Sequence, residues 1–161
     1  MKKLQLLFAG MFSLAVMISC GGSDSAPTDE STASATTSTD ATVDDYDPTR
    51  GLGKWDETNV DVSSFDPAMA AEGKEISEVK CTSCHKITDE RLVGPGWLGV
   101  TERHKPYWIM NFITDPDPMI DVDPELQAQL ELCLVRMPNQ NVTDDEARKI
   151  LEYMREIDGA Q

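Results

Sequence analysis

The sequence predicts an all-α fold, about four helices preceded by a disordered tether. Three observations carry this. From Phe65 onward apolar residues recur at helical spacing, in runs opened by Asp66-Pro67, Pro106, Pro124 and Thr143. No stretch of any length alternates apolar and polar residues as a half-buried strand would. Composition also shifts: residues 21–64 hold few large apolar side chains and many Ser, Thr, Asp and Ala, so the core has to come from residues 65–161. A domain of that size is marginal alone and gains from a bound cofactor.

The chain opens with MKKLQLLFAGMFSLAVMISC. Lys2 and Lys3 precede an apolar run, Leu4 to Ile18, that is too short to span a bilayer comfortably. The run ends at Ser19-Cys20, and the whole resembles a bacterial lipoprotein signal peptide, although Met17 stands where Leu is more usual. That resemblance makes residues 1–19 the signal and Cys20 the acylated first residue. The protein is then exported and held on a bacterial membrane, its domain facing the periplasm or extracytoplasmic space. Several acyl chains anchor stably where one is marginal. Residues 20–64 form the acidic tether, with Trp55 and Val60 able to pack on the domain edge.

The domain, residues 65–161, begins with Asp66 as N-cap and Pro67 at N1. Met69, Ala70, Gly73, Ile76 and Val79 follow on one face of a helix that runs into Cys81. A loop containing LVGPGWLGV comes next. Pro106 opens a short helix, PYWIMNFIT, which Pro116 and Pro118 stop. Pro124 opens PELQAQLELCLV. Thr143 and Glu146 match a capping box ahead of the apolar face Ala147, Ile150, Leu151, Met154 and Ile157.

Chemistry concentrates in CTSCH, residues 81–85. Two thiols three apart at a helix end can reach the two vinyl groups of one haem, with the next histidine under the iron. A zinc site needs a second short-spaced pair of ligands, and only Cys133 and His104 remain. A redox dithiol needs a βαβ context, which the helical pattern does not supply. Export favours haem. Of the four cysteines, if Cys20 is taken by acyl chains and Cys81/Cys84 act together, Cys133 is left over, which argues against an even disulfide framework. Cys133, in LELCLV, reads as a buried, inert thiol.

Residues 66–158 resemble the class I (monohaem) cytochromes c on four ordered motifs: AAEGKEISEVKCTSCH, GPGWLGV, WIMNFITDP and RMPNQNVTDDEARKILEYMRE. The resemblance implies one covalent haem c. It implies thioethers from Cys81 and Cys84, His85 as proximal iron ligand, and Pro95 orienting His85 through its carbonyl. Met137, before Pro138 and six residues ahead of Thr143, is the implied distal ligand. Met119, in a loop after DPDP, and His104 are rivals; Met69, Met110 and Met154 read as core. Trp97, Arg103, Tyr107 and Trp108 are candidate pocket or propionate contacts. Gly73 and the Tyr153 region mark the crossing of first and last helices. Two features depart from the family. Ser77 stands where an aromatic residue is usual, and about twenty residues with a helix of their own separate Asp117 from Met137.

A haem whose two axial positions are filled by protein carries electrons one at a time and is not an enzyme. The implied role is an electron carrier between membrane-associated respiratory partners. Competing readings are a fixed subunit of a respiratory complex, or a peroxidase or gas sensor if the distal Met is labile. The net charge of −15 makes nucleic acid and anionic lipid poor partners. Residues 65–161 hold 19 acidic and 10 basic residues, which suits a monomeric domain meeting redox proteins with a basic docking patch.

Overall fold

The computed structural model describes residues 46–161. The signal peptide, Cys20 and the first part of the tether lie outside the described residues. Six helices are present and, among the described residues, no strand: α1 Pro67–Lys80, α2 Val100–Arg103, α3 Pro106–Thr114, α4 Pro116–Val122, α5 Pro124–Cys133 and α6 Asp144–Ile157. No described helix is long and apolar enough to cross a membrane.

Local chemistry sets the helix starts. Asp66 caps α1 by accepting from the N–H groups of Ala68 and Met69. The Thr143–Glu146 capping box opens α6. Asp123 caps α5 in the same way and is itself buried. The expectation for Pro116 needs correction. It ends α3 but at once occupies N1 of α4, where its missing N–H costs nothing. Met119 therefore sits in a helix, fully buried, and not in a loop.

The scaffold is the crossing of α1 and α6. The face of α1 that is buried is Ala70, Gly73 and Ser77. Val79, expected on that face, is 84% exposed, because three small residues turn a narrower edge toward α6. A Cβ placed on Gly73 would lie 2.0 Å from the Lys149 carbonyl oxygen, so the two backbones touch at this point. Ser77 answers for the missing aromatic: its hydroxyl donates to the Gly73 carbonyl at 2.7 Å and is satisfied inside the interface. The main core gathers Trp108, Ile109, Met110 and Ile113 of α3 with Ile150, Leu151, Tyr153 and Met154 of α6.

The domain starts earlier than Phe65. Residues 46–64 form an irregular strap packed on the helices. Buried Asn111 holds it: Oδ1 accepts from Trp55 N–H at 2.9 Å, and Nδ2 donates to the carbonyls of Arg50 and Trp55. Tyr46 donates to Asp123, and Val60 is buried. Composition misses this because the strap is secured by backbone groups rather than by an apolar stripe.

Candidate functional site

Residues 81–98 form two nested turns. Cys81 ends α1, its N–H donating to Ser77 O at 2.8 Å. The N–H groups of Cys84 and His85 both donate to Cys81 O at 3.0 Å, closing a single turn that puts both thiols and the imidazole on one side. The chain then doubles back. Gly94 N–H donates to Cys84 O at 2.9 Å and Trp97 N–H to Lys86 O at 2.9 Å. This return brings Pro95 O to 2.8 Å from His85 Nδ1. A carbonyl can only accept, so the proton belongs on Nδ1 and the Nε2 lone pair is free to bind a metal.

Burial lowers the His85 pKa, with the Pro95 hydrogen bond opposing it, so the ring favours its neutral form. Burial also pushes the Cys81 thiol up to about 11, against a small opposing pull from Lys80. A redox dithiol has the opposite shift, since its nucleophile is kept as thiolate. Among the described residues no group of three or more His, Cys, Asp or Glu is placed to hold a metal ion.

Cys81, Cys84, His85, Pro95 and Met137 line one cavity of about 1070 Å³, part of it open to solvent. A second lobe of about 630 Å³ shares Cys84, His85, Pro95 and Met137 and opens between the post-motif loop and α5. The walls are apolar, from Trp97, Val100, Ile109, Phe112, Ile150 and others. Size and lining suit a large, flat, mostly apolar ligand with one metal-binding nitrogen and one thioether sulfur beside it. The close approach of Gly94 keeps the imidazole in place: a Cβ there would meet His85 Cε1 at 2.4 Å.

Met137 is positioned by its neighbour. Arg136 donates to Asp117 Oδ1 at 2.7 Å, to Asp117 O at 2.8 Å and to Asp121 Oδ1 at 2.9 Å, fixing the RMPN loop to α4. Met119 lines neither lobe and packs under the strap at Gly51. His104 is not an exposed loop residue. It stacks on Trp108 at 3.9 Å between centroids, lies 3.7 Å from Glu125 and forms part of the cavity wall. Of the candidate pocket contacts, Trp97, Arg103 and Trp108 line the cavity and Tyr107 does not. Trp97 stands 5.9 Å from the His85 ring and edge-on to Tyr153. Trp108 Nε1 is buried with no hydrogen-bond partner among the described residues. Arg103 is occupied with the carbonyls of Leu98 and Gly96.

The helix between Asp117 and Met137, which the sequence could place over an open haem edge, is α5; sequence reasoning did not single out which of its residues line the cavity. Leu126, Gln129, Leu130 and Cys133 all face the second lobe. The i, i+4 pair Leu126/Leu130 was the available signal. Cys133 is half-buried, with its sulfur 2.8 Å from an Arg91 guanidinium nitrogen, and not sealed in a core as expected.

A family model described as Cytochrome c matches residues 70–158, more than half of the chain. The chain belongs to the cytochrome c family. Cytochrome c from Rhodothermus marinus is 32% identical, covers 66% of this chain and 91% of its own, and superposes with a TM-score of 0.61. An engineered cytochrome c from the same organism is 30% identical over 70% of this chain and 98% of its own, with a TM-score of 0.63. That engineered protein bound to a carbene intermediate is likewise 30% identical, over 70% and 98% of the two chains, with a TM-score of 0.60. Among curated proteins none matches. This is a class I cytochrome c, an extracytoplasmic type of electron carrier, and CTSCH attaches its covalent haem c.

Gly94→Ala tests how this cytochrome holds its histidine. The new methyl forces the ring or the loop to move, and overpacking of this kind costs about 1–3 kcal/mol. The expected result is a lower melting temperature with a shifted reduction potential. An unchanged potential would show that the Gly94 contact does not set the His85 orientation.

Proposed function

We propose that the chain is a membrane-tethered one-electron shuttle between respiratory redox proteins, with His85 and Met137 as the axial ligands of its haem. The supporting observation is that both side chains line one cavity beside Cys84, with His85 aimed by Pro95.

When bound, the haem supplies one-electron cycling between ferric and ferrous iron. Each residue then has a physical task. Cys81 and Cys84 fasten the ring edge through thioethers. His85 offers Nε2 while Pro95 fixes its tautomer and increases its donor strength. The soft sulfur of Met137 favours ferrous iron and so raises the potential above that of a bis-histidine site. The apolar walls act in the same direction, since low dielectric disfavours the extra charge of the ferric state. His85 and Met137 would together hold the iron and would leave no position for a substrate. The acidic surface favours partners with basic docking patches.

Export and anchoring through an acylated Cys20 follow from the signal-peptide pattern. Mass spectrometry of the mature N-terminal peptide tests this, and an unacylated Cys20 would remove the anchor.

Met137→Ala tests the ligand set. The wild type should show the weak far-red sulfur-to-iron charge-transfer band when oxidised and bind carbon monoxide only slowly when reduced. The variant should lose the band, bind carbon monoxide rapidly, and show a potential lowered by tens to a few hundred millivolts, on the order of the span set by axial ligands. A band that persists in the variant would exclude Met137.

A further inference from the structure

His85 and His104 are the chain's two histidines. His85 is committed to the metal. His104 lines the same cavity and has no part in the ligand set. Its ring lies flat on Trp108, 3.9 Å between centroids and 12° between planes, and Trp108 is in turn stacked on Phe112 at 5.3 Å. The stack fixes the imidazole and shields it, leaving the side chain 15% exposed. His104 Nε2 is 3.7 Å from Glu125 Oε1, too long for a hydrogen bond and close enough for an ion pair. Glu125 stands in the first turn of α5 and lines the cavity as well. The pair is thus built partly from the inserted helix and owes nothing to the attachment motif.

Opposing influences meet at His104. Burial, the largest, pushes its pKa below the usual 6.5, while the Glu125 carboxylate pulls it up. The Arg103 guanidinium of α2, bonded to the Leu98 and Gly96 carbonyls, pushes it down, and Asp123 pulls it up. Asp123 is itself engaged, accepting from Tyr46 and from the N–H groups of Glu125 and Leu126. Glu125 is therefore the carboxylate left to answer the imidazole. Trp108 and Phe112 of α3 bring no charge, and the neighbouring Glu102 and Lys105 are exposed.

We propose that His104 and Glu125 form a proton-binding site coupled to the iron, so that the protein takes up a proton with its electron and releases both together. The inference rests on the carrier reading and adds a second charge to what is carried. One electron enters the iron and one proton passes from solvent to the His104 ring; no other bond forms or breaks. Reduction removes one positive charge from a cavity with apolar walls, where charges are felt strongly. An imidazolium in the wall then costs less, so His104 binds its proton more tightly in the reduced protein. Linkage requires the converse: protonated His104 raises the affinity for the electron. The sign follows. The potential is flat below both His104 pKa values, falls as pH rises between them, and is flat above both. Because burial holds the ring below 6.5, the fall lies on the acid side of neutrality.

The test uses the full-length holoprotein, with the midpoint potential measured from pH 4.5 to 9 and the His104 ring titrated by NMR in each oxidation state. The reduced protein should bind the His104 proton about three- to tenfold more tightly, a total fall in potential of about 28 to 59 mV at 59 mV per tenfold. His104→Phe keeps a flat ring on Trp108 but carries no proton, and its potential should not change across the window. Glu125→Gln removes the carboxylate that favours the imidazolium and should move the window to lower pH in both readings; its side chain is 58% exposed, so the variant will fold. A purely structural role for His104 would shift the potential equally at every pH. Equal His104 pKa values in the two oxidation states would overturn the proposal. A slope that survives in His104→Phe would belong to another group, such as the cofactor's own carboxylates, and would overturn it too. Absence of any reversible one-electron couple in the wild type would instead remove the carrier reading, and this inference with it.

Discussion

Gly73→Ala will lower the melting temperature of the holoprotein by about 10 °C or more. Two effects oppose each other. Alanine gains roughly 1 kcal/mol over glycine in helix propensity. The added Cβ, however, would stand 2.0 Å from Lys149 O, 2.5 Å from Lys149 C and 3.0 Å from Ile150 N. All three are backbone atoms, so no side chain can rotate aside. The helices have to separate, and the loss spreads along the interface in which Ala70, Ser77, Ala147 and Leu151 are all fully buried. Overpacking costs about 1–3 kcal/mol where neighbours can adjust, and more where they cannot. The steric term wins. Because Cys81 caps α1, a displaced helix also shifts the attachment motif, and the yield of covalently loaded protein should fall. Lys74→Ala, one residue along on the exposed side, is the control and should leave both readings unchanged. A Gly73→Ala protein melting within a few degrees of wild type would contradict the close crossing.

What the sequence disclosed and what it hid follow from the range of the interactions involved. The haem motif, the caps at Asp66 and Thr143 and the proline starts at 67, 106 and 124 are local signals, settled within a few residues. They were legible. The His85–Pro95 contact was legible only through the family resemblance, which the GP segment carried. Long-range polar work was not. Asn111 binds the strap across 56 and 61 residues, and nothing around Asn111 distinguishes it from an ordinary polar residue in an apolar helix. Arg136 looked like an unremarkable neighbour of Met137, yet its two aspartates lie 15 and 19 residues away. Those aspartates account for part of the inserted residues between Asp117 and Met137: α4 anchors the RMPN loop and α5 covers a flank of the cavity. Pro116 misled for a different reason. Proline stops one helix and starts another with equal ease, and only the following contacts decide which.

Glu152→Ala will cost about 3–5 kcal/mol, the penalty for stranding buried charge. Glu152 is fully buried on α6, among residues whose periodicity reads as apolar. Its carboxylate accepts from Arg148 at 2.5 Å, from Arg155 at 2.9 Å and from Asp66 N–H at 2.8 Å. The same two arginines extend to the strap. Arg148 donates to Asp61 O, and Arg155 to Val62 O and Ser64 O. Removing one carboxylate therefore leaves two guanidiniums without their counter-charge and loosens the chain ahead of α1. Limited proteolysis should cut between residues 46 and 66 in the variant well before the wild type. The pH dependence has a definite sign. Burial pushes the carboxyl up, but the Asp66 N–H and the two arginines outweigh it, so the folded pKa lies below the ordinary 4.5. A lowered carboxylate pKa means stability that is fully present above the unfolded value and lost as pH falls through the folded one. Wild type should accordingly lead Glu152→Gln at pH 7, by about 1–3 kcal/mol for a charge-assisted network reduced to neutral hydrogen bonds. The lead should shrink below pH 4.5, as the wild-type carboxylate takes up its proton. A gap that stays constant from pH 7 to pH 3 would mean that shape alone, and not the buried charge, ties α6 to the strap.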